Sequence, residues 1–251
     1  MPIHYARRLT GRKRSATANR HLGYALALVA GAINAGGFLA VQQYTSHMTG
    51  IVSAMADNIA LGAFELVLSG AGGLLSFLLG AACSTVMVRY SRRRGLHSEY
   101  ALPLLLEAIL LLCFGFLGTA MAQITGLFVP LTVMLLCFIM GLQNALITKL
   151  SRAEIRTTHI TGIVTDIGIE LGKLVYWNHR SSSDRVMADR ERLGLLALLL
   201  LFFFLGGVLG AFGFKHLGYV STVPLALLLV TLAGVPALDD VLFLMRRHLR
   251  R

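Results

Sequence analysis

Two stretches decide the architecture of this chain: Gly31-Ala32-Ile33-Asn34-Ala35 leading to His47-Met48-Thr49-Gly50-Ile51-Val52-Ser53, and Gly141-Leu142-Gln143-Asn144-Ala145 leading to His159-Ile160-Thr161-Gly162-Ile163-Val164-Thr165. The Asn-to-His interval is 13 residues in the first and 15 in the second. Further on, Phe77-Leu78-Leu79-Gly80 with Ser84 answers Phe203-Phe204-Leu205-Gly206 with Gly210. Three correspondences in the same order mark an internal duplication, a signal to be sought before any motif.

Each unit is set in apolar sequence. Hydrophobic residues make up 56% of the 251 and charged residues 14%, against roughly 25% charged in a soluble domain. Lipid must therefore cover the surface. Helices need about 20 apolar residues to cross a bilayer core, and six segments qualify: 22–41, 66–88, 101–122, 127–148, 193–213 and 218–236. Two shorter segments carry charge, 49–64 with Asp57 and Asn58, and 161–177 with Asp166, Glu170 and Lys173.

The net charge of +11 would suggest nucleic acid in a soluble chain. Here the basic residues flank the apolar segments, without interleaved aromatics, so they are read as topological anchors and no nucleic acid is expected. With eight crossings, Arg89, Arg92, Arg93, Arg94, Lys149, Arg152 and Arg156 would lie outside. With six, they join the N-terminal arm, Arg180, Arg185, Arg190, Arg192 and the C-terminal arginines on the inner side. The positive-inside rule prefers six, with both termini cytoplasmic.

The expected fold is an all-α polytopic membrane protein. A basic arm (1–21) precedes a first repeat (22–122) and a second (127–236, with a polar linker at 178–192), and a basic tail (237–251) follows. Three crossings per unit is an odd number, so the second unit is inverted relative to the first. The short segments are then re-entrant or broken helices opened by Thr49-Gly50 and Thr161-Gly162, each hydroxyl serving as a cap. Inverted repeats with discontinuous helices are a recurring architecture of secondary transporters.

A site at the repeat interface is expected from Asn34, His47, Thr49, Gly50, Gln143, Asn144, His159, Thr161 and Gly162. Helix N-termini offer unpaired N–H groups to an anionic or carbonyl group, and histidine changes charge near neutral pH. Asp57, Asp166 and Glu170 are the candidates for a coupling proton or cation. Glu107 is expected to pair with a basic residue or snorkel, and Asp239 and Asp240 to neutralise the arginines that follow.

Gly72, Ser76, Gly80 and Ser84, with Gly206 and Gly210, form small-residue faces suited to close helix packing within the chain or to a homodimer. Cys83, Cys113 and Cys137 lie in apolar stretches without ligand spacing, so no metal is expected. The phosphate-loop, HExxH and GxSxG patterns are absent, so no enzyme and no cofactor are expected. A small solute and the bilayer are the partners this pattern implies; the alternative is a non-catalytic membrane scaffold.

Gly141-Leu142-Gln143-Asn144-Ala145-Leu146-Ile147-Thr148, followed by Thr157-Thr158-His159-Ile160-Thr161-Gly162-Ile163-Val164-Thr165-Asp166, resembles the signature of the YoaK-like family. The resemblance runs from about His21 to Met245. It implies a bacterial inner-membrane protein and supplies no substrate. This chain departs from that pattern at Asn34, where the family carries an acidic residue, and at Ile51, where it carries Asn.

Overall fold

The computed structural model describes residues 16–96, 98–121, 125–150, 159–177 and 185–248. Residues 1–15 of the N-terminal arm, Arg152, Arg156, Arg180 and the final residues of the tail lie outside them. The described residues form eight α-helices: α1 (Ala16–Val41), α2 (Met48–Ala60), α3 (Phe64–Arg94), α4 (Ala101–Met121), α5 (Thr125–Leu150), α6 (Ile160–Val175), α7 (Arg190–Leu217) and α8 (Thr222–His248). A 3₁₀ turn, Gly218–Ser221, joins the last two.

Five stretches are long and apolar enough to cross a membrane: Thr17–Val41, Phe64–Arg94, Ala101–Thr119, Pro130–Lys149 and Arg190–Asp240. The last is 51 residues long and would extend about 77 Å as one helix, more than twice the roughly 30 Å hydrocarbon core. It is broken at Gly218, whose φ of 62° few other residues adopt, so it divides into two helices each long enough to cross, which makes six candidate spans among the described residues. Helix α8 continues through Pro236 to His248, so the expected boundary at 236 falls inside a helix. Proline there removes one backbone hydrogen bond without ending the helix.

Side-chain contacts give the helix directions. Helices α1 and α7 run parallel, with Arg20 on Glu191 (2.6 Å), Tyr24 stacked on Phe202 (5.4 Å) and Gly36 against Phe214. Helices α3 and α5 also run parallel, Gly73 facing Val133 and Cys137, and Gly80 facing Phe138 and Leu142. By contrast α1 and α5 are antiparallel: Gln143 Nε2 donates to the Leu26 carbonyl at 3.1 Å, while Gly37 meets Leu136. Helices α4 and α8 are antiparallel too. The Ser98 N–H donates to Asp240 Oδ2 at 3.0 Å, and Gly115 faces Thr222 at the other end.

Lipid gives apolar helices little reason to associate, so close backbone packing must hold the bundle. Glycine provides it at matched places. A Cβ at Gly31 or Gly206 would overlap the carbonyl of Phe203 or Leu28; a Cβ at Gly141 or Gly80 would overlap that of Phe77 or Phe138. The small-residue faces of α3 and α7 are thereby covered by α5 and α1, which leaves them unavailable to a homodimer. The arginines that Asp239 and Asp240 are expected to neutralise have side chains outside the described residues. Asp240 holds the α3–α4 loop through Ser98. Glu107 is 0% exposed, and neither carboxylate oxygen has a hydrogen-bond partner among the described residues.

A candidate site where the two short helices begin

The two short helices start in the same way. Each is preceded by its histidine as N-cap, His47 (φ −93°, ψ 73°) and His159 (φ −86°, ψ 55°), with no side-chain capping bond. The helices thus begin at Met48 and Ile160, one residue ahead of the expected threonines, and neither threonine hydroxyl is the cap. A Cβ on Gly50 would lie 2.6 Å from His47 Nδ1, and one on Gly162 would lie 2.6 Å from His159 Nδ1. Glycine at the third helical position makes room for the ring of the cap residue. That explains the His-x-Thr-Gly spacing physically.

Helix α2 folds back antiparallel on α3, with Met55 and Ile51 near Gly70. Helix α6 folds antiparallel on α7, with Asp166 on Arg192. Their N-termini share one cleft of about 870 Å³, lined by Asn34, Tyr44, Ser46, His47, Met48, Thr49, Phe77, Asn144, Thr148, His159, Ile160, Thr161 and Phe203. Phe77 lies 13 residues into α3 and Phe203 13 residues into α7, about 20 Å from each helix start. The short helices therefore begin near mid-bundle.

The expected residues divide. Asn34, His47, Thr49, Asn144, His159 and Thr161 line the cleft. Gly50 lines a neighbouring cavity, and Gly162 underlies His159. Gln143 does not line the cleft: it is 0% exposed and ties α5 to α1. Asp57 is exposed on α2 and lines neither cavity. Asp166 is ion-paired with Arg192 at 2.9 Å. Glu170 accepts from Lys173 Nζ and from the Asp189 N–H, both at 2.8 Å. Lys173 and that N–H hold its carboxyl below the ordinary value of 4.5. Asp189 in turn caps α7, accepting from the N–H groups of Glu191 and Arg192 at 3.0 Å.

Within the cleft Ser46 Oγ donates to Asn34 Oδ1 at 2.8 Å, and Asn144 Nδ2 donates to the Met140 carbonyl at 3.0 Å. Tyr44 stacks on Phe38 at 4.5 Å. Among the described residues that line it there is no Asp, Glu, Lys or Arg. Reasoning from sequence missed Tyr44, Ser46, Met48, Phe77, Thr148, Ile160 and Phe203. The two phenylalanines, and Met48 with Ile160, stand at matched places in the repeat and could have been added from it. Tyr44, Ser46 and Thr148 carry no such signal.

These features define a multi-pass, all-helical membrane protein with a polar cleft between its halves. The chain belongs to the family described as "Protein of unknown function (DUF1275)", which matches residues 22–235. It is 26% identical over 210 residues to UPF0700 transmembrane protein YoaK of Bacillus subtilis (strain 168), covering 81% of this chain and 88% of that protein. No solved structure matches it.

Proposed function

We propose that the chain is a secondary transporter or permease for a small polar or anionic solute, built from two inverted repeats and seated in a bacterial inner membrane with both termini cytoplasmic. One observation carries this reading. A single cleft takes matching residues from both halves: Asn34 with Asn144, His47 with His159, Met48 with Ile160, Thr49 with Thr161, and Phe77 with Phe203. The antiparallel pairings of α1 with α5 and α4 with α8 support the inversion, because equivalent helices then point in opposite directions. Arg20, the arginines ending α3, Lys149 and the start of α7 gather at one end of the bundle, which supports the orientation.

Two helix N-termini and two imidazoles, with no carboxylate among the described lining residues, favour a neutral or singly negative solute. The imidazoles are also better placed than Asp57, Asp166 or Glu170 to carry a coupling proton, since all three acids stand outside the cleft. The protein itself performs no covalent chemistry in this reading.

Uptake of labelled small monocarboxylates and neutral polar solutes into proteoliposomes tests it. Concentrative or exchange uptake lost in Asn34→Leu and in Asn144→Leu is expected. Absence of uptake for every solute, in protein that remains folded, would contradict it.

A further inference from the structure

Beside the central cleft lies a second cavity of about 450 Å³. Its polar lining comes from Gln42, Gln43, Asn58 and Ser69. The two cavities share Tyr44 and His47, so these side chains stand where one chamber meets the other. The loop that carries them is strained: Gln42 has φ 55°, the only positive φ at a non-glycine residue among those described. Such strain persists where the surrounding structure dictates it and clusters at ligand clamps and switch regions. The loop sets two adjacent carboxamides, Gln42 and Gln43, on the cavity wall.

The matching position in the second unit has a different fate. At the His47–His159 offset, Asn58 corresponds to Glu170, which is 1% exposed and bonded to Lys173 and the Asp189 N–H. Asn58 lines open space where Glu170 is committed to its neighbours. We infer that the second cavity is an antechamber through which solute reaches the cleft from the α2 end of the bundle, and that Tyr44 and His47 form the constriction between them. Beside apolar residues such as Phe38, Ile51 and Met55, the described lining of this cavity carries carboxamides, hydroxyls and one imidazole, and no carboxylate, lysine or arginine. It suits a small neutral or singly charged anionic molecule rich in hydrogen-bonding groups. This rests on the transport reading for its purpose, though not for its geometry.

The test uses protein in nanodiscs, with Cys83, Cys113 and Cys137 replaced by alanine and Thr49→Cys placed in the cleft. The probe is the anionic thiol reagent sulfonatoethyl methanethiosulfonate. Either plug, Asn58→Trp or Ser69→Trp, is expected to slow labelling of Thr49→Cys at least about tenfold, equivalent to 1.4 kcal/mol of barrier. Tryptophan at Leu68, an outward position 75% exposed on the same helix, is expected to leave the rate unchanged. Size exclusion and melting temperature establish that each variant is folded. Labelling unaffected by both plugs, or no labelling of Thr49→Cys at all, overturns the antechamber. Slowed labelling without uptake of any solute in proteoliposomes leaves the antechamber standing and removes the transport reading. Uptake with unslowed labelling does the reverse.

Discussion

Helices α2 and α6 begin alike and end differently. Both start on a histidine cap whose ring sits over a glycine, and both present a threonine to the same cleft. Beyond that first turn they part. Helix α2 has 13 residues and turns directly into α3, with Asp57 exposed. Helix α6 has 16 residues and is tied to α7 and the segment before it through Asp166, Glu170 and Asp189. On the transport reading proposed above, the shared starts would serve one task at the cleft. The divergent ends leave Asn58 beside an open cavity and hold Asp166 and Glu170 in polar contacts with Arg192, Lys173 and the Asp189 N–H.

The helix crossings beside the cleft set the largest expected effect. Leucine at Gly80 or at Gly206 forces a side chain into the facing carbonyl and should cost about 3 kcal/mol or more. Both variants should fall out of the folded fraction on size exclusion, and equal loss would show that the two crossings are equivalent. Next is Glu107, whose counterpart at the Phe77–Phe203 offset is Ala233. A buried carboxyl without partners is costly, so Glu107→Leu should raise stability by about 1–3 kcal/mol. A lower melting temperature would reveal a partner for this carboxyl.

Smaller changes address the short helices themselves. Gly50→Ala and Gly162→Ala should each displace the adjacent imidazole, costing about 1–2 kcal/mol and weakening solute binding; an effect at one site alone would break the equivalence of the two starts. Acid should act on α6 and spare α2. Because the Glu170 carboxyl titrates below its ordinary value of 4.5, its contribution is complete above that value and is lost as pH falls through the lower, folded one. Hydrogen exchange should therefore show the C-terminal half of α6 loosening on acidification while α2 stays unchanged. The smallest effect is Asp166→Asn, since a half-exposed pair with Arg192 contributes up to about 1 kcal/mol. Uptake should survive it, and its loss would return Asp166 to a coupling role.

Much of the fold was legible in the sequence because apolar length and repeated motifs report directly on helices that lipid must cover. The matched glycines were legible as small-residue spacing, although only the structure pairs α3 with α5 and α7 with α1. What could not be read was direction around a helix. Gln143 and Asn144 are neighbours, yet consecutive helical residues point about 100° apart, so one faces the cleft and the other the core. The threonine caps were misjudged for a related reason: a histidine whose ring needs a glycine three residues on leaves the same spacing as a threonine cap. Asp166 and Glu170, four residues apart on one face of α6, turn towards α7 and its preceding segment. Sequence spacing placed them on a common face without saying what lay opposite.

The central claim is that one solute site is built jointly by both halves. The most direct test is a thermal-shift screen of the purified protein against small monocarboxylates and neutral polar compounds, repeated with Thr49→Leu and Thr161→Leu. Binding to the folded state raises the apparent melting temperature. The account predicts a shift in the parent protein that both variants lose, each on its own. A shift retained in either variant, or no shift with any compound, would contradict it.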